Sequence, residues 1–221
     1  MGIKDMMAKR AAEEVNNGDI VNLGFGIPQK VVNFIPEDKT VFLHAENGIL
    51  GAGPAAGVGL GDPELIDSGG VPITTVPGAS YFDSADSFAL IRSGRLDITV
   101  LGALEVAENG DLANWMVPGG AIPGMGGAMD LAAYAKEVIA VTTHTDKKGN
   151  PKLKKAVTLP LTARNCVKLI ITDIAVIEVD DKGFLLKEVF AGNTVEEVIE
   201  KTGAELRVAD DVRVIDYDAE Q

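Results

Sequence analysis

A lone carboxylate set beside bare backbone is the feature of this chain best suited to chemistry. In the run Val41-Phe42-Leu43-His44-Ala45-Glu46-Asn47-Gly48-Ile49-Leu50-Gly51-Ala52-Gly53-Pro54, a short apolar segment delivers Glu46 into a turn. A glycine-rich stretch follows at once. A glutamate contributes little to a core at such a place. A carboxylate with closely approaching backbone suits covalent chemistry on an acyl group: a nucleophile, and N–H groups that hold a developing oxyanion. Three glycine-rich turns stand out, at 24–26, 48–61 and 119–127. Each reads either as a ligand cradle or as tight-turn glycine. The third runs into a helix over 128–136, whose first N–H groups offer an oxyanion or phosphate site.

The first two turns give a dinucleotide site only weak support. That fingerprint needs G-x-G-x-x-G between a strand and a helix, and Gln29 and Ala56 stand where the third glycine belongs. His44 precedes Glu46 by two and could form a catalytic pair with it or be structural. With His144 the only other histidine, a zinc site is disfavoured. Cys166, at an expected helix start, reads as a small buried apolar group. Glu108-Asn109-Gly110 repeats Glu-Asn-Gly but reads as a hairpin turn. Trp115 and Met116 read as core or interface. The run 144–155 carries five lysines and reads as a solvated loop or as a contact for ligand phosphates or an acidic partner surface.

These groups need a scaffold, and 221 residues suffice for one large domain. Hydrophobic residues make up 46% and aromatics only 5%, which suits an aliphatic α/β protein. The 25 glycines exceed the usual share of about 7%. A net charge of −13 argues against nucleic acid and anionic membranes as partners. The single cysteine precludes an intrachain disulfide. No apolar run approaches the roughly 20 residues of a membrane span, nor does the N-terminus carry a signal-like core, so a cytoplasmic protein is expected. The four-residue step Ile3, Met7, Ala11, Val15 predicts a helix over 3–17, and Pro28 opens a second over 28–34. Strands are expected at 20–23, 41–43, 73–76, 98–106, 138–142, 168–172, 175–179 and 184–190, a loop across 48–70, and helices at 84–91 and 194–202. Near-continuous apolar strands alternating with helices predict a three-layer α/β domain with a mixed, largely parallel sheet.

At this point the residues resemble a family. Glu46-Asn47-Gly48-Ile49-Leu50-Gly51-x-Gly53-Pro54 is similar to the E-N-G-x-L-G-x-G-P signature of the class I coenzyme A transferases. Val21-Asn22-Leu23-Gly24-Phe25-Gly26-Ile27-Pro28, Pro77-Gly78-Ala79-Ser80, the stretch 87–92, Leu101-Gly102-Ala103, the stretch 111–119, Gly124-Met125-Gly126-Gly127-Ala128-Met129-Asp130-Leu131 and Thr158-Leu159-Pro160-Leu161-Thr162 follow in family order. The likeness covers roughly 5–205 and is strongest to the B (β) subunits of the succinyl-CoA:3-oxoacid, acetoacetate and 3-oxoadipate transferases. Against that group, Ala55-Ala56-Gly57-Val58-Gly59-Leu60-Gly61 replaces a more acidic, bulkier stretch that would border the acyl pocket.

The resemblance implies that Glu46 attacks an acyl-CoA thioester and then carries CoA as a glutamyl thioester, with Gly127 N–H holding the oxyanion. It implies substrate-binding roles for Asn22, Gly24, Gly26, Asn47, Gly48 and Gly126. Acyl-CoA is a substrate and no separate cofactor is expected. An A (α) subunit is the implied partner in a hetero-oligomer. The reaction it implies moves CoA between an acyl-CoA, such as succinyl-CoA or acetyl-CoA, and a 3-oxoacid such as acetoacetate. Butyrate/acetate–acetoacetate or 3-oxoadipate transfer, a sugar-phosphate isomerase-like reaction using the carboxylate as base, and a non-catalytic acyl-CoA-binding role are the alternatives.

Overall fold

A computed structural model describes residues 1–120 and 124–219. Ten strands form one sheet. In chain order they are β1 (Ile20–Leu23), β2 (Phe42–Ala45), β3 (Ile49–Ala55), β4 (Ile73–Tyr81), β5 (Ile98–Gly102), β8 (Glu137–Val141), β10 (Val167–Ile171), β11 (Ala175–Asp180), β12 (Gly183–Phe190) and β13 (Leu206–Ile215). A second sheet holds β6 (Glu105–Ala107), β7 (Leu112–Ala113) and β9 (Leu153–Lys154). The large sheet runs β13-β12-β11-β10-β8-β5-β1-β2-β3-β4. Its centre, β10-β8-β5-β1-β2, is parallel throughout, and antiparallel pairs flank it.

Alternation along the central strands explains the layers. Val100, Ile139, Ile171 and Val176 face one core with helix α1 (Ile3–Ala12) and the 3-10 helix Pro28–Phe34. Their neighbours Leu101, Ala140, Ile170 and Ile177 face the other. There they meet helices α2 (Ser84–Arg92), α3 (Ala128–Tyr134) and α4 (Val195–Lys201) and the small sheet. Strands apolar on both faces are what a doubly covered sheet demands, and the fold is the α/β one expected. Among the described residues no helix is long and apolar enough to cross a membrane.

Several local expectations change. The first helix stops at Ala12, because residues 13–19 form turns in which Asp19 accepts from Asn16 N–H and Asn17 accepts from Thr40 N–H. Side-chain bonds of this kind compete with helix continuation. Val15 is still buried, but Ile3 is exposed. Residues 98–106 divide at Ala103-Leu104, sending β6 into the small sheet. Cys166 precedes β10 rather than a helix; it is half-buried against the core, and burial pushes its thiol up to about 11. The edge strand β13 adds to the expected set. Thr194 caps α4 by accepting from Glu197 N–H, as the spacing suggests.

Buried polar groups hold the layers in register. Glu105 is enclosed, which alone would raise its pKa. Lys154 and the N–H groups of Thr158 and Leu159 outweigh burial and hold it below the ordinary carboxylate range. His144 is 1% exposed between Thr172 and Thr202. Thr202 Oγ1 donates to Val198 O, so it accepts from His144 Nε2–H. Burial pushes this imidazole down from 6.5 to about 4. The unfolded chain therefore takes up a proton first, and the stability tied to neutral His144 is complete above pH 6.5 and lost between pH 6.5 and 4. About 2 kcal/mol should disappear between pH 7.5 and 5. Urea midpoints at those two pH values test this; His144→Gln should shrink the difference, and an unchanged difference would refute the assignment.

Candidate active site

The order of the sheet reverses at β1, whose neighbours β2 and β5 are reached in opposite directions. Crevices beyond the carboxyl ends of strands at such a point are where α/β sheets bind ligands. A cleft of about 720 Å³ lies there, walled by residues following β1, β2, β5 and β8. Glu46 lines it, as do Gly24, Ser68, Gly126 and Gly127.

Glu46 is the first residue of a three-residue hairpin loop, Glu46-Asn47-Gly48, joining β2 to β3 through the pair Ala45↔Ile49. The expected loop over 48–70 is thus in part a strand. Gly48 has φ +122, and a Cβ there would lie 2.0 Å from Phe82 O. Gly51 and Gly53 likewise press on β4, with hypothetical Cβ atoms 3.0 Å from Ala79 and 2.4 Å from Thr74 Oγ1. The glycines of this segment seat the hairpin on β4 rather than opening backbone to a ligand.

Asn22 fixes the carboxylate. It is the penultimate residue of β1, in register with His44 on one side and Thr99 on the other, and it is fully buried. Its Nδ2 donates to His44 O and to Glu46 Oε2, both at 3.0 Å. Ser68 Oγ donates to the same Oε2 at 2.9 Å. Gly127 lies against the other side: a Cβ on it would sit 3.1 Å from Glu46 Cγ and 3.3 Å from Oε1. The Arg92–Asp130 ion pair at 2.7 Å ties α2 to α3 and so steadies that approach. Gly126 has φ +56, a turn that ordinary side chains resist.

Other expected positions fall elsewhere. Gly24 is on the cleft wall, but its N–H is given to Val100 O at 2.9 Å. Gly26 gives its N–H to Gln29 Oε1 and lines a separate cavity. Asn47 and Gly48 border a surface depression distinct from the cleft; Asn47 Nδ2 holds Ile66 O at 2.7 Å, and Gly48 N–H bonds Ala45 O. His44 is buried, with Nε2 against Ser87 Oγ at 2.9 Å and its ring stacked on Phe82. Burial lowers its pKa more than the Glu46 charge raises it. Of the lysine run, Lys152 reaches the cleft, bound to Thr142 and Thr143 hydroxyls. Lys147, Lys148 and Lys155 are exposed. Glu108-Asn109-Gly110 is the expected hairpin, between β6 and β7, and Glu108 faces a different depression. Residues 121–123 of the third glycine-rich turn lie outside the described residues.

Ser68 was missed by sequence reasoning. Its one signal is a hydroxyl in the turn Asp67-Ser68-Gly69-Gly70, 22 residues from the carboxylate it meets. Removing either donor loosens the Glu46 carboxylate. Asn22→Ala, which also strips a partner from His44 O, should cost roughly 1–3 kcal/mol of transition-state stabilisation, about 5–150-fold in kcat/KM. Ser68→Ala should cost a few-fold, its loss being partly replaced by water. Steady-state kinetics on both variants decide this, and equal, negligible effects would refute the positioning role.

The sequence profile of the Coenzyme A transferase family matches residues 4–201. The chain is 54% identical over 205 residues to the beta chain of a probable coenzyme A transferase of Bacillus subtilis, covering 93% of this chain and 94% of that one. It is 48% identical over 206 residues to the B component of the succinyl-CoA:3-ketoacid coenzyme A transferase of Helicobacter pylori, covering 93% and 99%. Among solved structures, an acyl-CoA transferase from E. coli O157:H7, in a thioester complex with CoA, superposes with a TM-score of 0.77 at 20% identity. That match takes in 96% of this chain but only 43% of the other, so the chain spans less than half of that protein. With nearly its whole length matched, the chain belongs to the coenzyme A transferase family.

Proposed function

We propose that this chain is the nucleophile-bearing B (β) component of a transferase that moves CoA between an acyl-CoA and a free carboxylic acid, a 3-oxoacid such as acetoacetate among the candidates. The observation that carries the reading is Glu46 Oε2 held by Asn22 and Ser68 at the mouth of the cleft, with Gly127 against its other oxygen. A Glu46 oxygen attacks the thioester carbonyl, the C–S bond breaks, and CoA leaves as thiolate from an acyl–glutamyl anhydride. The thiolate attacks the glutamyl carbonyl and releases the first acid as carboxylate, leaving glutamyl–CoA. A second carboxylate attacks that thioester, forming a new anhydride and freeing thiolate, which takes the new acyl group and restores Glu46. One thioester replaces another, so no other energy source is consumed.

Each tetrahedral adduct places charge on an oxygen, and Gly127 N–H is the donor proposed for it; such a donor is worth about 2.7–4 kcal/mol. Asn22 and Ser68 keep the carboxylate within attacking distance, which supplies proximity. Gly24, Gly26, Asn47, Gly48 and Gly126 shape the backbone around the substrate, directly or by seating the Glu46 hairpin. The names of the relatives support an A (α) subunit as partner. Intact-mass and peptide analysis of the two-subunit enzyme after incubation with acyl-CoA tests the reading. A CoA adduct on the Glu46 peptide is expected. Turnover without any adduct would overturn the covalent route, and full turnover by the isolated chain would overturn the partner.

A further inference from the structure

A second cavity, of about 310 Å³, shares a wall residue with the active-site cleft. It is bounded by the 3-10 helix, β2, β3 and the segment leading into β4. Ser68 lines both cavities, so the hydroxyl that holds Glu46 Oε2 also stands at the chamber wall. The apolar part of that wall is Leu23, Val32, Leu43, Ala52, Val71 and Ile73. Coenzyme A is far too large for the chamber, whereas the cleft of about 720 Å³ is the roomier of the two.

The charges on this wall are specific. Among the described residues, its one lysine or arginine is Lys30, whose ammonium is held by Asp5 at 2.5 Å. Asp67 places a carboxylate on the wall, where it accepts from Gln29 Nε2 and from the N–H groups of Gly69 and Val71. His44, the other titratable group that could carry positive charge there, is buried and tied to Ser87. A second carboxylate entering the chamber would be desolvated, unpaired and near a like charge.

We infer that this chamber binds the uncharged hydrocarbon tail of a monocarboxylic acyl group, and that the enzyme selects against dicarboxylic acids. The inference rests on the transferase reading above and narrows its substrate class.

The test uses the assembled two-subunit enzyme with acetyl-CoA as donor and acetate, butyrate or succinate as acceptor. Butyrate and succinate both have four carbons and differ in the distal charge. Butyrate should exceed acetate in kcat/KM by about tenfold or more, the scale of added methylenes in an apolar pocket. Succinate should fall at least about a hundredfold below butyrate, as expected for an unpaired charge. Ala55→Trp, at the exposed end of β3 on the chamber wall, should lower the butyrate-to-acetate ratio about tenfold. Asn33→Lys, an exposed wall position, should raise the succinate-to-butyrate ratio about tenfold. Wild-type use of succinate within threefold of butyrate would overturn the inference, and that comparison needs no variant to fold. Unchanged ratios in both variants would also overturn it. Exchange of labelled acetate into acetyl-CoA separates the two levels: if it persists while selectivity fails, only the chamber assignment falls. If exchange is absent and no CoA adduct forms on the Glu46 peptide, the transferase reading falls and the chamber assignment with it.

Discussion

Replacing Glu46 with glutamine should reduce CoA transfer by about ten-thousand-fold or more, the scale on which enzymes lose rate when a covalent nucleophile is removed. The amide keeps the shape of the side chain, and its oxygen can still accept from Asn22 Nδ2 and Ser68 Oγ, which now meet Oε2 at 3.0 and 2.9 Å. What is lost is the anionic oxygen proposed to attack the thioester. Substrate affinity should change little, because the cleft wall is intact, whereas the first half-reaction should vanish in single-turnover experiments. Glu46→Asp is expected to be nearly as poor. It keeps the charge but withdraws it by about 1.5 Å, one carbon–carbon bond, from both donors and from Gly127. A glutamine variant within tenfold of wild-type kcat would mean that Glu46 is not the nucleophile.

Gly48→Ala should be the most destabilising small substitution in the hairpin. The new Cβ would fall 2.0 Å from Phe82 O, a backbone atom that cannot swing aside, at a φ of +122 that L residues resist. Steric overpacking and backbone strain together should cost about 3–5 kcal/mol, lowering the melting temperature by roughly 10 °C in a chain of this size. Gly94→Ala is the control. Its φ of +70 is also left-handed, but nothing lies within 4 Å of the added carbon, so only about 1 kcal/mol should be lost. Thermal melts of both variants decide the matter; equal shifts would show that the contact with Phe82 O is not what requires glycine.

The parallel heart of the fold was legible because its strands are apolar on both faces. Ile98 to Leu101, 138–142 and 168–172 are expected as strands and fall within a residue of β5, β8 and β10, and the Asn109-Gly110 turn placed its hairpin correctly. Periodicity misled where side chains bond locally. The apolar step through Val15 ran on past Ala12, yet Asn16, Asn17 and Asp19 end the helix first. Strand β3 was hidden because Gly51, Gly53 and Pro54 look like loop, and only their contacts with β4 reveal why glycine is tolerated in a strand. At the site, Glu46, Asn22 and Gly127 were legible through motif likeness, and the structure brings them together. Asn47 and Gly48 carry the same motif but serve the hairpin. Ser68 was invisible because a hydroxyl in a glycine-rich turn has no periodic or spacing signature, and its importance arises from the folded chain alone.

Asn22 is built into β1, an interior strand of the large sheet paired on both sides, and with Ser68 it holds Glu46 Oε2. On the transferase reading proposed above, a carboxylate anchored at so stiff a place does not travel between stations, in contrast to the long swinging tethers of carrier proteins. Donor and acceptor would come to it one after the other, and turnover would be governed by entry to and exit from the cleft rather than by motion of Glu46.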